Sequence, residues 1–255
     1  MSQSLIIPGS GPFFFPGGRT GCILIHGFTA MPEETRPLGE FLAEKGLTVL
    51  GLRLAGHATH PLDLRRTHWQ DWLADVETGL AFLSATCDRI FLIGQSMGGM
   101  IALTAATRYP VAGVVGVSTP AGPVQPTGSF GFAIHSFIRP SIFKKSYDPS
   151  LPLGDRREAE YPAYPWFPTR ILGELYKLRY AMDLSLPEVT VPTLVIQSRD
   201  DQAIPPDSAE YIHNRITSAQ KSIVWMDKAG HSILLSENRR LAFEAILSFI
   251  EQNYK

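Results

Sequence analysis

A serine between two glycines, Gly94-Gln95-Ser96-Met97-Gly98, directly follows the apolar run Ile90-Phe91-Leu92-Ile93. This spacing suits a turn so tight that side chains at the flanking positions would strike backbone, with the serine held in a strained conformation at the top of a strand-to-helix reversal. A hydroxyl presented there is a nucleophile for a carbonyl carbon once a base takes its proton. The base is a histidine oriented by an acid, and for a serine in this setting the chain order is serine, acid, histidine. His231, in Ala229-Gly230-His231-Ser232, has the position: it follows the strand-like Ser222-Ile223-Val224-Trp225-Met226 and precedes a long amphipathic stretch, 236–253. The acid falls in Gln197-Ser198-Arg199-Asp200-Asp201-Gln202-Ala203-Ile204-Pro205, just beyond the apolar run 192–196. Asp201 is preferred, because in D-x-x-Ile-Pro the apolar-Pro pair ends the loop and pins the carboxylate toward the histidine. Asp200 is the second candidate, read as solvating the loop or pairing with Arg199.

Acyl transfer also needs backbone donors for the oxyanion that develops on the carbonyl, each worth about 2.7–4 kcal/mol. One is the N–H of Met97, the residue after the nucleophile; the other comes from a loop beyond an earlier strand. His26-Gly27-Phe28-Thr29, after Cys22-Ile23-Leu24-Ile25, supplies that loop, and the second donor is assigned to Phe28. His26 reads as a brace for this loop, while His68, His135 and His213 read as packing or surface residues. His57 and His60 form an H-x-x-H in a loop, but lack a third ligand or the helical H-E-x-x-H pattern, so no metal site is expected. No nucleotide-binding loop of the G-x-G-x-x-G or Walker type is present, and no cofactor is expected.

These groups must be carried by a regular scaffold. Buried-strand runs recur near 20–25, 47–52, 89–94, 112–118, 192–197 and 220–226, mostly separated by helical patterns. That alternation predicts a parallel sheet covered on both faces. A helix is expected from Met97 to Tyr109, stopped by Pro110, and another over 69–83, where Trp69, Trp72, Leu73, Val76, Leu80 and Leu83 share one face. Those tryptophans read as core. Between Pro120 and Pro187 the rhythm fails and Pro, Gly and aromatic residues crowd the chain, so 120–187 is expected to be an inserted lid on a core made of 1–119 and 188–255. Phe130, Ile134, Phe137 and Ile138 recur at helical spacing in it, and Tyr164, Trp166 and Phe167 form a second cluster. As a group they are expected to line an apolar acyl pocket.

The 255 residues can bury one large core, and the formal charge of −1, from 23 basic and 24 acidic side chains well mixed, gives no footprint for nucleic acid. Two cysteines, Cys22 and Cys87, make neither a disulfide framework nor a metal pair, which fits a reducing cytosol. The opening residues lack a basic segment followed by an apolar run, and no stretch nears the ~18 apolar residues of a membrane span, so a cytoplasmic protein is expected.

Taken together, the opening Pro12-Phe13-Phe14-Phe15-Pro16-Gly17-Gly18, the His26-Gly27-Phe28-Thr29 stretch, Gly56-His57, Asp71-Trp72, the segment around Ser96, Asp201 and Gly230-His231 resemble the bacterial carboxylesterase and monoacylglycerol-lipase group of the α/β-hydrolase superfamily. The resemblance spans nearly the whole chain. It implies the α/β-hydrolase fold, a mostly parallel central sheet with helices on both faces and a lid inserted after the sixth strand. It also implies Ser96 as nucleophile, Asp201 and His231 as its partners, and Phe28 and Met97 as amide donors. The expected reaction is hydrolysis of short- to medium-chain acyl esters through an acyl-enzyme. The alternatives are a monoacylglycerol lipase on longer chains, or a thioesterase, C–C hydrolase or perhydrolase; a ligand receptor is the remaining class. Expected partners are a small ester or lipid and at most transient membrane or micelle contact through the lid, in a monomer or small homo-oligomer. One departure is Ala58, where relatives usually carry glycine in a Gly-His-Gly turn.

Overall fold

The computed structural model describes residues 5–123, 140–143 and 163–253. The strands are β1 (Phe13–Phe15), β2 (Thr20–Ile25), β3 (Thr48–Gly51), β4 (Arg89–Gln95), β5 (Gly113–Val117), β6 (Ser141–Phe143), β7 (Trp166–Pro168), β8 (Thr193–Ser198) and β9 (Lys221–Met226). The helices are α1 (Arg36–Glu44), α2 (Trp69–Ser84), α3 (Met97–Ala106), α4 (Ile171–Ser185), α5 (Ser208–Arg215) and α6 (Arg239–Gln252). Seven strands form one sheet in the order β1-β3-β2-β4-β5-β8-β9, and β6 and β7 pair separately. All neighbours in the large sheet run parallel except β1, which lies antiparallel on β3.

Period-two side-chain alternation sends the two faces of each central strand into different layers. Ile23 and Ile25 of β2 and Ile90 and Leu92 of β4 pack with α2, α3, α4 and α5; Cys22, Leu24, Phe91 and Ile93 pack with α1 and α6. Both layers are closed, so every residue of β2 is buried. Trp72, expected in the core, is fully buried and donates its Nε1–H to the carbonyl of Ala55 at 3.1 Å. Trp69 is half-buried beneath the guanidinium of Arg108.

One expectation about the insertion changes. It leaves the sheet after β5, the fifth strand in chain order rather than the sixth, because among the described residues the chain ahead of β2 forms only the short β1. Its last part, α4, is a helix of the core: Ile171, Leu178 and Met182 are fully buried in the same cluster as α2 and α3. That apolar face rests on α2 and α3.

The loop after β3 is tied to α2 by Asp75, whose Oδ2 accepts the N–H of Ala55 at 2.6 Å. Burial pushes this carboxyl up from 3.8 to about 6, against the opposing pull of the Ala55 N–H and the charge of Arg53. An acid whose folded value is raised favours the fold while protonated, and that contribution is lost as pH rises through about 6. Asp75→Asn keeps an acceptor for Ala55 and removes the ionisation. It is expected to raise the melting temperature at pH 8 by roughly 2–4 °C, the shift for about 1 kcal/mol in a domain this size. The gain should vanish below about pH 4, which a melting series across pH checks.

Candidate active site

In an open parallel sheet a crevice forms outside the carboxyl ends of the strands where their order reverses direction. Here β2 leads outward to β3 while β4 leads the other way to β5, so the reversal lies between β2 and β4. The loops leaving these two strands carry Phe28 and Ser96.

Ser96 caps the N-terminus of α3 with φ 54° and ψ −116°, a left-handed backbone that costs a non-glycine residue on the order of 1–3 kcal/mol. The conformation is fixed from three sides. The Ser96 N–H donates to the carbonyl of Val117 at 2.8 Å, and the Ser96 carbonyl accepts from Gly99 and Met100. The glycines are required by contact: a Cβ on Gly94 would lie 2.0 Å from the Gly98 oxygen, and one on Gly98 would lie 2.1 Å from the Ile25 oxygen.

His231 follows β9 and faces the serine, with Nε2 3.0 Å from Ser96 Oγ. Its Nδ1 is 2.9 Å from Asp201 Oδ2. Asp201 is fixed in turn: Oδ1 accepts from the N–H groups of Ala203 (2.9 Å) and Ile204 (3.1 Å), and Oδ2 also accepts from Gln197 Nε2 (3.1 Å). Burial pushes this carboxyl up, but the hydrogen bond and charge of His231, with the Ala203 and Ile204 amides, more than offset it and hold it below the ordinary carboxylate range. In the tautomer that carries its proton on Nδ1, toward the Asp201 carboxylate, the Nε2 lone pair faces the Ser96 hydroxyl.

Asp200 has a different task. It is exposed and does not pair with Arg199, which instead lies 3.6 Å from Asp227 and over the ring of Trp225. Its Oδ1 accepts from Ser198 Oγ at 2.5 Å and from the N–H of Ala229 at 3.3 Å, bracing the loop that leads to His231.

Backbone accounting singles out the amides of the other loop. Gly27 N–H donates to Glu34 Oε2 (2.5 Å), Thr29 N–H to His57 Nε2 (3.2 Å) and Ala30 N–H to the Gly27 carbonyl (3.2 Å). Among the described residues, the N–H groups of Phe28 and Met97 have no such acceptor. His26 is buried, with Nδ1 2.9 Å from the Gly27 carbonyl and Nε2 accepting from Leu54 N–H at 3.3 Å. Burial pushes its pKa down to about 4, so the ring is a neutral brace between two loops at ordinary pH.

The return of the insertion is clasped to this loop. Tyr164 donates its N–H to the Thr29 carbonyl, stacks on His57 at 6.3 Å between ring centres, and uses its hydroxyl to donate to Gly56 and accept from Thr59 N–H. Phe167 meets Phe28 edge-on at 5.0 Å, and Trp166 meets His60 at 6.0 Å. Phe130, Ile134, His135, Phe137 and Ile138 lie outside the described residues. His60 Nδ1 accepts from Leu62 N–H. Ala58 adopts φ 58°, so the left-handed turn that suits glycine is kept with a Cβ present.

Sequence reasoning missed two residues at this centre, Glu34 and Gln95. Gln95 was visible only as the variable position beside Ser96, and Glu34 carried no local signal.

The sheet order and the serine at the strand-to-helix turn define an α/β-hydrolase. The serine aminopeptidase (S33) family, Hydrolase_4, matches residues 18–238, and the chain belongs to it. It is 33% identical to the thermostable monoacylglycerol lipase of Bacillus sp. (strain H-257), with 98% of both chains covered. It is 29% identical to a carboxylesterase of Bacillus subtilis (strain 168), covering 94% of this chain and 96% of that one. A solved structure from work on LipS and LipT, two metagenome-derived lipolytic enzymes, superposes with a TM-score of 0.86 at 30% identity, covering 97% and 99%. No helix among the described residues is long and apolar enough to cross a membrane.

Proposed function

We propose that the chain is a serine carboxylic-ester hydrolase that cleaves short- to medium-chain acyl esters through an acyl-enzyme on Ser96. The observation that carries this reading is the unbroken line from Ser96 Oγ to His231 Nε2 (3.0 Å) and from His231 Nδ1 to Asp201 (2.9 Å). Ser96 attacks the ester carbonyl as His231 takes its proton. The oxyanion is held by the N–H groups of Phe28 and Met97, and His231 then protonates the departing alcohol. Water repeats the sequence on the acyl-enzyme. Asp201 keeps the imidazole in the receptive tautomer and stabilises the imidazolium. Every group in the cycle belongs to the chain, the ester or water.

A second reading, a monoacylglycerol lipase on longer chains, is favoured by the likeness to the Bacillus lipase. The cap in either case is the insertion 120–187, with Phe167 against Phe28. We place the enzyme in the cytoplasm as a monomer or small homo-oligomer, touching micelles or membranes only transiently through the cap. Rates on p-nitrophenyl esters from acetate to palmitate, beside 1-monoacylglycerols and an aminoacyl anilide, test these readings. The expected profile peaks at or below octanoate; a rise toward palmitate matched by rapid monoacylglycerol hydrolysis selects the lipase, and cleavage of the anilide alone removes both.

A further inference from the structure

A carboxylate buried next to a reaction centre is costly unless its oxygens are all engaged, and its partners report what it is for. Glu34 is fully buried at the end of the loop that follows β2. Its Oε2 accepts the N–H of Gly27, the residue before Phe28, at 2.5 Å, and its Oε1 accepts from Gln95 Nε2 at 2.6 Å. Gln95 precedes Ser96, is itself fully buried, and accepts with Oε1 the N–H of Leu234 at 3.0 Å. That last bond fixes the orientation of the amide, since only its oxygen can face an N–H. Leu234 belongs to the turn that follows His231. A Cβ on Gly27 would lie 3.3 Å from Glu34 Oε2 and 3.5 Å from Ser96 Cβ, so Gly27 is packed between the carboxylate and the nucleophile.

We infer that Glu34 and Gln95 are positioning residues, which set the oxyanion loop, the nucleophile turn and the histidine loop in mutual register. The inference rests on Ser96 and His231 being the reacting pair. Glu34 and Gln95 touch neither substrate nor reacting atoms; they hold the backbone on which the Phe28 amide, the Ser96 hydroxyl and the His231 ring are mounted. The run from Gly27 N–H to Glu34, from Gln95 NH₂ to Glu34 and from Leu234 N–H to Gln95 has one consistent donor and acceptor assignment. It allows one carboxylate and one amide, in either order.

Glu34→Gln leaves two amides between two backbone donors, so one N–H must face another. Gln95→Glu leaves two carboxylates face to face, which can share a proton at low pH, so the loss from this variant should deepen as pH rises. The exchange Glu34→Gln with Gln95→Glu satisfies every group again: the amide now at position 34 accepts from Gly27 and donates to the carboxylate now at position 95, which accepts from Leu234. Each single variant is therefore expected to lose about 10²-fold in kcat on p-nitrophenyl butyrate with KM within a few-fold, the scale of a displacement near 1 Å at the reacting groups. The rate of covalent labelling of Ser96 by a fluorophosphonate should fall in parallel, and the double variant should recover both to within about tenfold of the parent. Labelling reads the centre even if esters are the wrong substrates: a parent chain that labels but does not turn over esters sinks the proposed substrate and leaves this test intact. Single variants that keep parental rates overturn the inference, as does a double variant no faster than either single one. If a single variant does not fold, the double variant decides: folded and fast supports the register role, slow or unfolded refutes it.

Discussion

Ser96→Ala is expected to lower kcat for ester hydrolysis about 10⁶-fold while leaving KM within a few-fold and the melting temperature nearly unchanged. The loss follows from the mechanism: without Oγ no acyl-enzyme forms, and His231 Nε2, 3.0 Å away, faces a methyl group. Stability should change little because among the described residues the hydroxyl bonds only to His231, while the φ of 54° at this turn strains alanine as it strains serine. Some rate above that in water should persist, since the Phe28 and Met97 amides still polarise the carbonyl. Steady-state kinetics on p-nitrophenyl butyrate, with a fluorophosphonate titration to count any parental enzyme, measure the effect. A variant that keeps more than about one part in 10² of the parental rate excludes Ser96 as nucleophile.

Asp201→Asn should cost about 10⁴-fold in kcat, and Asp200→Asn less than about tenfold. All four donors around Asp201 need an acceptor: two amides at Oδ1, with Gln197 and His231 at Oδ2. Asparagine can serve only one side. With its oxygen toward Ala203 and Ile204, its NH₂ meets His231 Nδ1 and turns the ring to the tautomer that presents a hydrogen to Ser96. Asp200 braces the backbone at Ala229 and makes no contact with the ring, so its replacement moves His231 only through the loop. The fold should register the difference as well. Asp201 has a lowered pKa in the folded chain, so its contribution to stability is present above the ordinary carboxylate range and lost as pH falls through the folded value. Melting curves of parent and Asp201→Asn should therefore converge only as pH falls below the ordinary carboxylate range. Equal losses from the two aspartates would reassign the acid.

Legibility in the sequence followed distance along the chain. The turn at Ser96 was readable because its strand, glycines and helix are contiguous, and β2, β4 and β8 were readable because burial on both faces makes them continuous apolar runs. Asp201 and His231 were reachable only through chain order, and the spacing argument for Asp201 has a physical basis in the Ala203 and Ile204 amides. Of the two readings of Asp200, exposure on the loop is observed and pairing with Arg199 is not, because in the turn at 199–200 each side chain reaches a partner near the end of β9. Glu34 and Gln95 could not be paired from sequence, being 61 residues apart and joined only when β2 and β4 align side by side. The packing of α4 was not legible, because its mixed composition hides a face that is buried once α2 and α3 lie beneath it.

The sheet order has a further consequence. Ser96 rides on β4, which is hydrogen-bonded on both sides, whereas the loop of His231 hangs from β9, which among the described residues is paired only with β8 at the margin of the sheet. A strand bonded on one side can open without the centre of the sheet opening with it, since proteins open in separate local units. With Ser96 and His231 as the proposed pair, the hydroxyl rides on a central strand and the ring on an edge strand, so an opening confined to that edge would part the two while the centre of the sheet still stands.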